Sequence, residues 1–304
     1  MSVVSTGNIA KLLWPGLNAR WGANYTEHPT EYTDLVDVFS SDMTYEEDQE
    51  MTGFGMAPVK PQGQPTVYDT MSQGVTSRYT HVAYGLGFII TREAIDDNQY
   101  EKVGMQRTGS LAFSMRQTKE NVVANLYNRA ETAGYVGGDG VTLSSASHPT
   151  VGGGTQSNRL ATAADLSEAS LEDLVIQIGQ AKNSRGMRIS IKPKSLIIPV
   201  QLQFEAARIL KSVQQSGTAN NDINALRTMG AFPDGIKVNH YLTDADAFFI
   251  RTDAPEGIKL FQRVAAEFSQ DKDFDTDNLK YKAYERYSTG WSDWRAVYSN
   301  GMGA

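Results

Sequence analysis

The sequence predicts a mixed α+β fold organised around a projecting β-hairpin and one long helix. Three observations carry that prediction. A breaker-rich stretch, Gly53, Gly55, Pro58, Pro61, Gly63 and Pro65, separates two strand-like legs. Val82, Tyr84, Leu86, Phe88 and Ile90 alternate with His81, Ala83, Gly85 and Gly87, the two-residue period of a half-buried strand. Leu111, Met115, Val122 and Leu126 recur at spacings of four and seven along a helical run from Gln99 to Thr132, with Thr118 filling the gap. Strands and helices do not alternate regularly, so a βαβ arrangement is not indicated.

Taken in order, residues 1–34 read as an arm with little core of its own: a short apolar segment at Leu12, Leu13 and Trp14, then Pro15, Gly16 and a polar run holding Trp21 and Tyr25. A strand-like start at Leu35, Val36, Val38 and Phe39 leads into the acidic residues Asp42, Glu46, Glu47, Asp48 and Glu50. With the return leg to Ile90 these form two long legs around the Pro/Gly tip. A lone hairpin is marginal in water, so this one is expected to lie on a neighbouring subunit. Thr91 caps the next element with Glu93 in its first turn, and an irregularity is expected at Asp97–Asn98. The long helix spans roughly 50 Å at 1.5 Å per residue and reads as a strut.

A loop rich in Gly and Ser covers 134–164. A second helix, Leu171 to Ala181, is expected to start at Ser170, with Asp173 three residues on. Ser195 to Val200 is a short buried strand, and Gln201 to Ser212 a helix with Phe204, Ala207 and Leu210 or Lys211 at helical spacing. A polar insertion at 214–224 precedes strand-like pieces at Ile236–Val238, Ala247–Ile250 and Lys259–Phe268. The final segment, Leu279 to Tyr298, carries Tyr281, Tyr284, Tyr287, Trp291, Trp294 and Tyr298, and reads as core or subunit interface.

The 304 residues are enough for one large or two modest domains. Cysteine is absent, which excludes disulfides, thiolate catalysis and Cys-ligated metal. No apolar run approaches the ~18 residues of a membrane span, and no signal peptide is evident. A net charge of −7 argues against a broad phosphate-gripping surface and suits a wall that encloses nucleic acid without adhering to it.

Catalytic motifs are missing. His28, His81, His148 and His240 lack ligand spacing and take surface or packing roles by default. No G-x-S-x-G elbow occurs, Gly85-Leu86-Gly87 lacks the third glycine of a dinucleotide fingerprint, and Gly152–Gly154 is not followed by Lys-Ser or Lys-Thr. Asp271, Asp273, Asp275 and Asp277 alternate like a calcium loop, but Thr276 stands where glycine is needed and Lys282 where the bidentate glutamate belongs. The aromatic final segment has too few basic neighbours for a nucleic-acid stacking platform. No catalytic residue, metal or cofactor is assigned.

The order of these pieces resembles one family, the major capsid proteins of tailed phages with the Hong Kong 97-type (HK97-like) fold. SHPTVGGGTQSNRLATAADLSEASLEDL from Ser147 is similar to the segment after that family's spine helix. IKPKSLIIPVQLQFEAARILKS resembles the strand–Pro–helix that opens its axial domain, VNHYLTDADAFFIRTDA a later axial strand, and DFDTDNLKYKAYERYSTGWSDWRAVYSNG the closing peripheral strands. GFIITREAIDDN is most similar to the Mu-like major head subunit group.

The resemblance implies an N-terminal arm at 1–34, an extended loop (E-loop) at 35–90, the spine helix and first part of the peripheral domain at 91–184, an axial domain at 185–255 and the remaining peripheral domain at 256–304. It implies a non-enzymatic virion protein, assembled in the host bacterial cytoplasm into an icosahedral shell of hexamers and pentamers around double-stranded DNA. Partners would be further copies, a portal protein, decoration or cement proteins, DNA contacted without sequence specificity, and no membrane. About 90 residues precede the spine, and arm and loop account for them, so a separate scaffolding protein is expected. Subunit contacts are expected at Phe54, Met56 and Lys60 on the tip, Val82, Tyr84 and Leu86 on the return leg, and Trp14 and Trp21 in the arm. An encapsulin-like nanocompartment shell or, remotely, a soluble hydrolase are the alternatives.

Overall fold

The structure is a computed structural model that describes residues 6–96, 100–215 and 222–301. It opens on helix α1 (Thr6–Glu27) and the single turn α2 (Tyr32–Leu35), followed by β1 (Asp37–Ser40), β2 (Tyr45–Met51), β3 (Gln73–Thr80) and β4 (Val82–Ile90). Then come α3 (Arg92–Asp96), the long α4 (Tyr100–Asn128), the two-residue strands β5 (His148–Pro149) and β6 (Thr155–Gln156), and α5 (Glu168–Gly179). β7 (Pro193–Pro199), α6 (Gln203–Lys211), α7 (Ala225–Thr228), β8 (Ile236–Asn239), β9 (Phe249–Thr252), β10 (Ile258–Lys272), β11 (Leu279–Trp291) and β12 (Val297–Ser299) complete it. No helix among the described residues is long and apolar enough to cross a membrane.

Two four-stranded sheets carry the core, ordered β1-β10-β11-β4 and β12-β9-β7-β8. In the first, β1 runs parallel to β10, and β10, β11 and β4 are antiparallel neighbours. One face of that sheet receives α4, whose buried positions Leu111, Met115, Val123 and Tyr127 follow helical spacing. At 29 residues α4 is about 44 Å long. The second sheet buries Leu196, Ile198, Phe248 and Ile250 against Leu171, Leu174 and Ile178 of α5 and Ala206 and Ile209 of α6.

Several expectations are corrected. The arm is helical through Glu27, because Leu17 and Trp21 find a groove between α4 and the first sheet, where burial of each apolar side chain contributes about 1.5–3 kcal/mol. The return leg of the hairpin stops at Thr80. The strand at 82–90 instead pairs with β11, from Val82↔Tyr287 to Leu279↔Ile90. Helix α5 begins three residues earlier than expected: Ser167 is the N-cap, and Ser170 is the N3 residue that bonds back to it. The aromatic closing segment divides, β11 entering one sheet and β12 the other. Thr91 does precede a helix, its hydroxyl accepting the Ala94 N–H at 3.4 Å. The irregularity expected at Asp97–Asn98 lies outside the described residues, as do 216–221 of the polar insertion.

Charged groups are built into the interior where α1, α2, α4 and the first sheet meet. Lys119 Nζ lies 2.7 Å from Glu285 Oε1 with both side chains almost fully buried, and it donates to Gln262 Oε1 at 2.9 Å. Glu285 also accepts from Gln262 Nε2 at 2.8 Å and from the Tyr25 hydroxyl at 3.2 Å. The next residue, Glu120, accepts the N–H groups of Glu31 and Tyr32, capping the start of α2.

Candidate assembly surface: the hairpin and its root

β2 and β3 pair from Tyr45↔Thr80 to Met51↔Gln73, and the ladder continues with the Thr52 N–H donating to Ser72 O at 3.0 Å. Beyond it the tip projects. Met56 is 83% exposed and Val59 and Tyr68 are each 92% exposed, with Phe54 and Val67 also open. A soluble monomer rarely leaves so many large apolar side chains together in water, and such a patch marks a contact surface.

The legs are fixed to the body by the alternate acidic residues of β2. Glu46, Asp48 and Glu50 share one face of the strand and point inward, whereas Tyr45, Glu47 and Gln49 face out. Asp48 Oδ2 accepts from Lys259 Nζ at 2.7 Å and from the Ser292 hydroxyl at 2.6 Å. Since the Ser292 proton goes to Asp48, the Tyr79 hydroxyl donates to Ser292, at 2.5 Å. Glu256 closes on Lys259 from the other side. Burial alone would push the Lys259 ammonium down, but its bonds to Asp48 and Glu256 outweigh that and hold its pKa above the ordinary lysine value. Two body glycines permit this approach: a Cβ on Gly138 would stand 2.5 Å from the Thr76 carbonyl, and one on Gly290 2.9 Å from the Tyr79 ring.

His81 locks the turn between β3 and β4. The Ser41 hydroxyl donates to Glu46 at 2.5 Å, so at 3.0 Å from His81 Nε2 it can only accept. Nε2 therefore carries the proton, and Nδ1 accepts from the Ser288 hydroxyl at 3.0 Å. The ring is neutral, and burial, then the nearby Arg286 charge, hold its pKa below the ordinary histidine value.

A cleft of about 500 Å³ separates the hairpin from the body, lined among others by Asp48, Glu50, Ser184, Trp291 and Asp293. Its acids are committed to neighbours: Asp48 as above, Glu50 to the Ser184 hydroxyl, and Asp293 to Arg295 at 3.0 Å. Ser292 donates to Asp48, a carboxylate already bound to the Lys259 ammonium, and no histidine lines the cleft among the described residues.

His148, beneath the floor, is fully buried. Its Nδ1 lies 2.6 Å from Asp139, its Nε2 3.1 Å from Asn158 Oδ1, and its ring stacks on Trp294. Asn158 Nδ2 donates to Leu143 O at 2.6 Å and Val297 O at 2.9 Å, joining the loop region to β12. His240 pairs with Glu31 and His28 packs edge-on against Phe113. In the aspartate run, Asp273 bonds Lys280 at 2.6 Å and Asp277 bonds Lys272 at 2.5 Å, and both carboxyls are held down by those lysines. No group of three or more potential metal ligands occurs among the described residues.

The residues named from sequence as contacts divide accordingly. Phe54, Met56 and Lys60 lie exposed on the tip. Val82 and Leu86 are each half exposed on β4, an edge strand. The other three pack within the subunit. Tyr84 stacks on Tyr287 at 4.6 Å, Trp14 on Phe268 at 5.2 Å, and Trp21 is buried between Tyr25 and Phe268. Trp14 and Trp21 are seven residues apart and so share the inward face of α1. Sequence reasoning missed Asp48, Tyr79, His81, Lys259 and Ser292. The signal for the first lay in the alternation of Glu46, Asp48 and Glu50.

A family model described as "Phage capsid protein" matches residues 74–300. Among solved structures, a protein of Mycobacterium phage Che8 is similar over 91% of this chain and 93% of its own, with 15% identity and a TM-score of 0.53. The bacteriophage JBD30 capsid matches 91% of this chain and 66% of its own at 11% identity and a TM-score of 0.50. The capsid of an empty GTA particle covers 88% and 87% at 12% identity, also with a TM-score of 0.50. These likenesses identify the HK97-like fold. No curated protein matches the sequence.

Proposed function

Since the chain belongs to the phage capsid protein family, and is thus a structural, non-enzymatic shell subunit, we propose that its hairpin is the principal device by which copies hold one another. The observation that carries this reading is the tip, whose Met56, Val59 and Tyr68 stand in solvent while both legs are fixed at the root. Copies of the chain assemble into an icosahedral shell, with the tip laid across an adjacent subunit and Phe54, Met56, Lys60, Val82 and Leu86 at the contacts. Extended segments add main-chain pairing and apolar burial at each contact. Stability is collective, because several neighbours hold each subunit.

The finer parts rest on the sequence. Hexamers and pentamers would form through the axial domain at 185–255, between the two parts of the peripheral domain. The GFIITREAIDDN motif supports a place near the Mu-like head subunits. A separate scaffolding protein, a portal, decoration proteins and packaged double-stranded DNA are the expected partners, with assembly in the host cytoplasm. The net charge of −7 suits a wall that does not grip the genome.

The test removes Gly53 to Pro65 with a short Gly-Ser closure. The subunit should keep its fold by circular dichroism yet fail to form closed particles in electron micrographs. Normal shells from the deletion would refute the hairpin's role. DNA rather than protein cargo inside particles of the parent chain separates a phage head from an encapsulin-like compartment.

A further inference from the structure

Resting on the shell-building reading, we propose that Asp69 and Arg185 are positioning residues that fix the direction of the hairpin tip on its own subunit before a neighbour arrives. Asp69 Oδ2 accepts the Gly55 N–H at 2.7 Å and Oδ1 accepts the Thr70 N–H at 2.8 Å, so one carboxylate joins the outgoing and returning chains of the tip. Arg185 closes on that carboxylate with both Nη atoms, Nη2 at 3.3 Å, and Nη2 also donates to Thr70 O at 2.9 Å. A forked guanidinium fixes orientation as well as distance, which a point charge cannot.

The arginine is itself held in place. Asn183 Oδ1 accepts the N–H groups of Arg185 at 3.0 Å and Met187 at 2.9 Å, and the Gly152 N–H donates to Ser184 O at 2.8 Å. The Ser184 hydroxyl reaches Glu50 near the end of the β2–β3 ladder, so the same turn grips the hairpin at two places. Arg185 and the two main-chain N–H groups hold the Asp69 carboxyl down at about 2. Past this point the tip leaves its own subunit, with Met56, Val59 and Tyr68 exposed. A tip already aimed loses less conformational freedom when it docks, and that saving recurs at every copy.

The chain has no cysteine, so Lys60→Cys and Asp173→Cys admit one spin label on the tip and one on α5. Distances between the labels are measured in unassembled subunits, before any shell forms. The parent should give one narrow distribution and Arg185→Ala a broad one. The critical concentration for assembly should rise about two- to fivefold in Arg185→Ala, the scale of a partly exposed ion pair, with the urea midpoint of the subunit unchanged. A narrow distribution in the variant overturns the proposal. So does a broad one with an unchanged or lowered critical concentration, or a rise accompanied by a lower urea midpoint, which would indicate general destabilisation. Failure of the parent chain to form particles at all would count against the shell-building reading, and the distance measurement reads the catch independently of it.

Discussion

Replacing Lys119 by Met should be among the most damaging single substitutions in the molecule. Lys119 and Glu285 are 2% and 1% exposed, with Nζ 2.7 Å from Oε1. Removing the ammonium leaves a carboxylate in the interior with only the neutral donors Gln262 and Tyr25 beside it. Breaking one partner of a buried pair costs about 3–5 kcal/mol, against a total stability of about 5–15 kcal/mol. With a urea dependence of about 3 kcal/mol per molar, the unfolding midpoint should fall by about 1–1.7 M. The double variant Lys119→Met, Glu285→Leu removes both charges and should recover most of the loss, because the cost arises from the stranded charge rather than from a missing attraction. Urea titrations of unassembled subunits followed by circular dichroism measure the parent, Lys119→Met, Glu285→Leu and the double variant. A midpoint shift below about 0.3 M in Lys119→Met, or a double variant equal to the sum of its parts, would refute this account.

Gly87→Ala should destabilise by about 1–3 kcal/mol, since its Cβ would stand 2.5 Å from the Tyr281 carbonyl, whereas Gly85→Ala meets nothing nearer than 3.6 Å and should be tolerated; melting curves of the pair test this. Below its ordinary pKa of 6.5, His81 takes up a proton in the unfolded chain before it does so in the fold, so it lowers stability as pH falls through 6.5 toward its lower folded value. Arg286 and Arg263 add to that resistance and Glu46 opposes it. His81→Asn should flatten the dependence between pH 7 and 5.5, and an unchanged slope would show that other groups set it. Ser167→Ala removes the hydroxyl that accepts the Ser170 N–H and should cost about 1 kcal/mol, or about 2 °C in melting temperature.

Period and punctuation were the parts of the fold most readable from sequence. The alternation at 82–90 is a strand, the stripe at 111–126 lies on a helix, and the breakers at 53–65 sit in the projecting tip. The spacing of Leu111 and Met115 located the buried face of α4, but Arg116, Lys119 and Glu120 lie on it too, and charged residues are assigned to solvent by default. The partners of Lys119, Glu285 and Gln262, are more than 140 positions away, so no local pattern reveals them. For the same reason β4 was joined to the hairpin: alternation reports a strand but not its neighbour, and β11 begins almost 190 residues after Ile90. The helix at 6–27 escaped notice because Pro15 and Gly16 interrupt its pattern, and its burial depends on a groove made by other elements. On the assembly surface the apolar tip was legible. The groups that anchor it are single polar side chains on separate strands, which carry no sequence signature.

The order of strands β1-β10-β11-β4 has a consequence for how the protein is made. The two outer strands emerge from the ribosome first, and the two that belong between them emerge last, β11 ending at Trp291. Until then neither β1 nor β4 has its partner, and Lys259 and Ser292, which hold the hairpin root, do not yet exist. Such long-range closure is slow, and it leaves strand edges exposed while it waits. It also acts as a timer. A nascent chain that has not reached Ser292 carries the apolar tip but cannot hold its root in place, so a subunit becomes competent to join a shell only after that residue has been added.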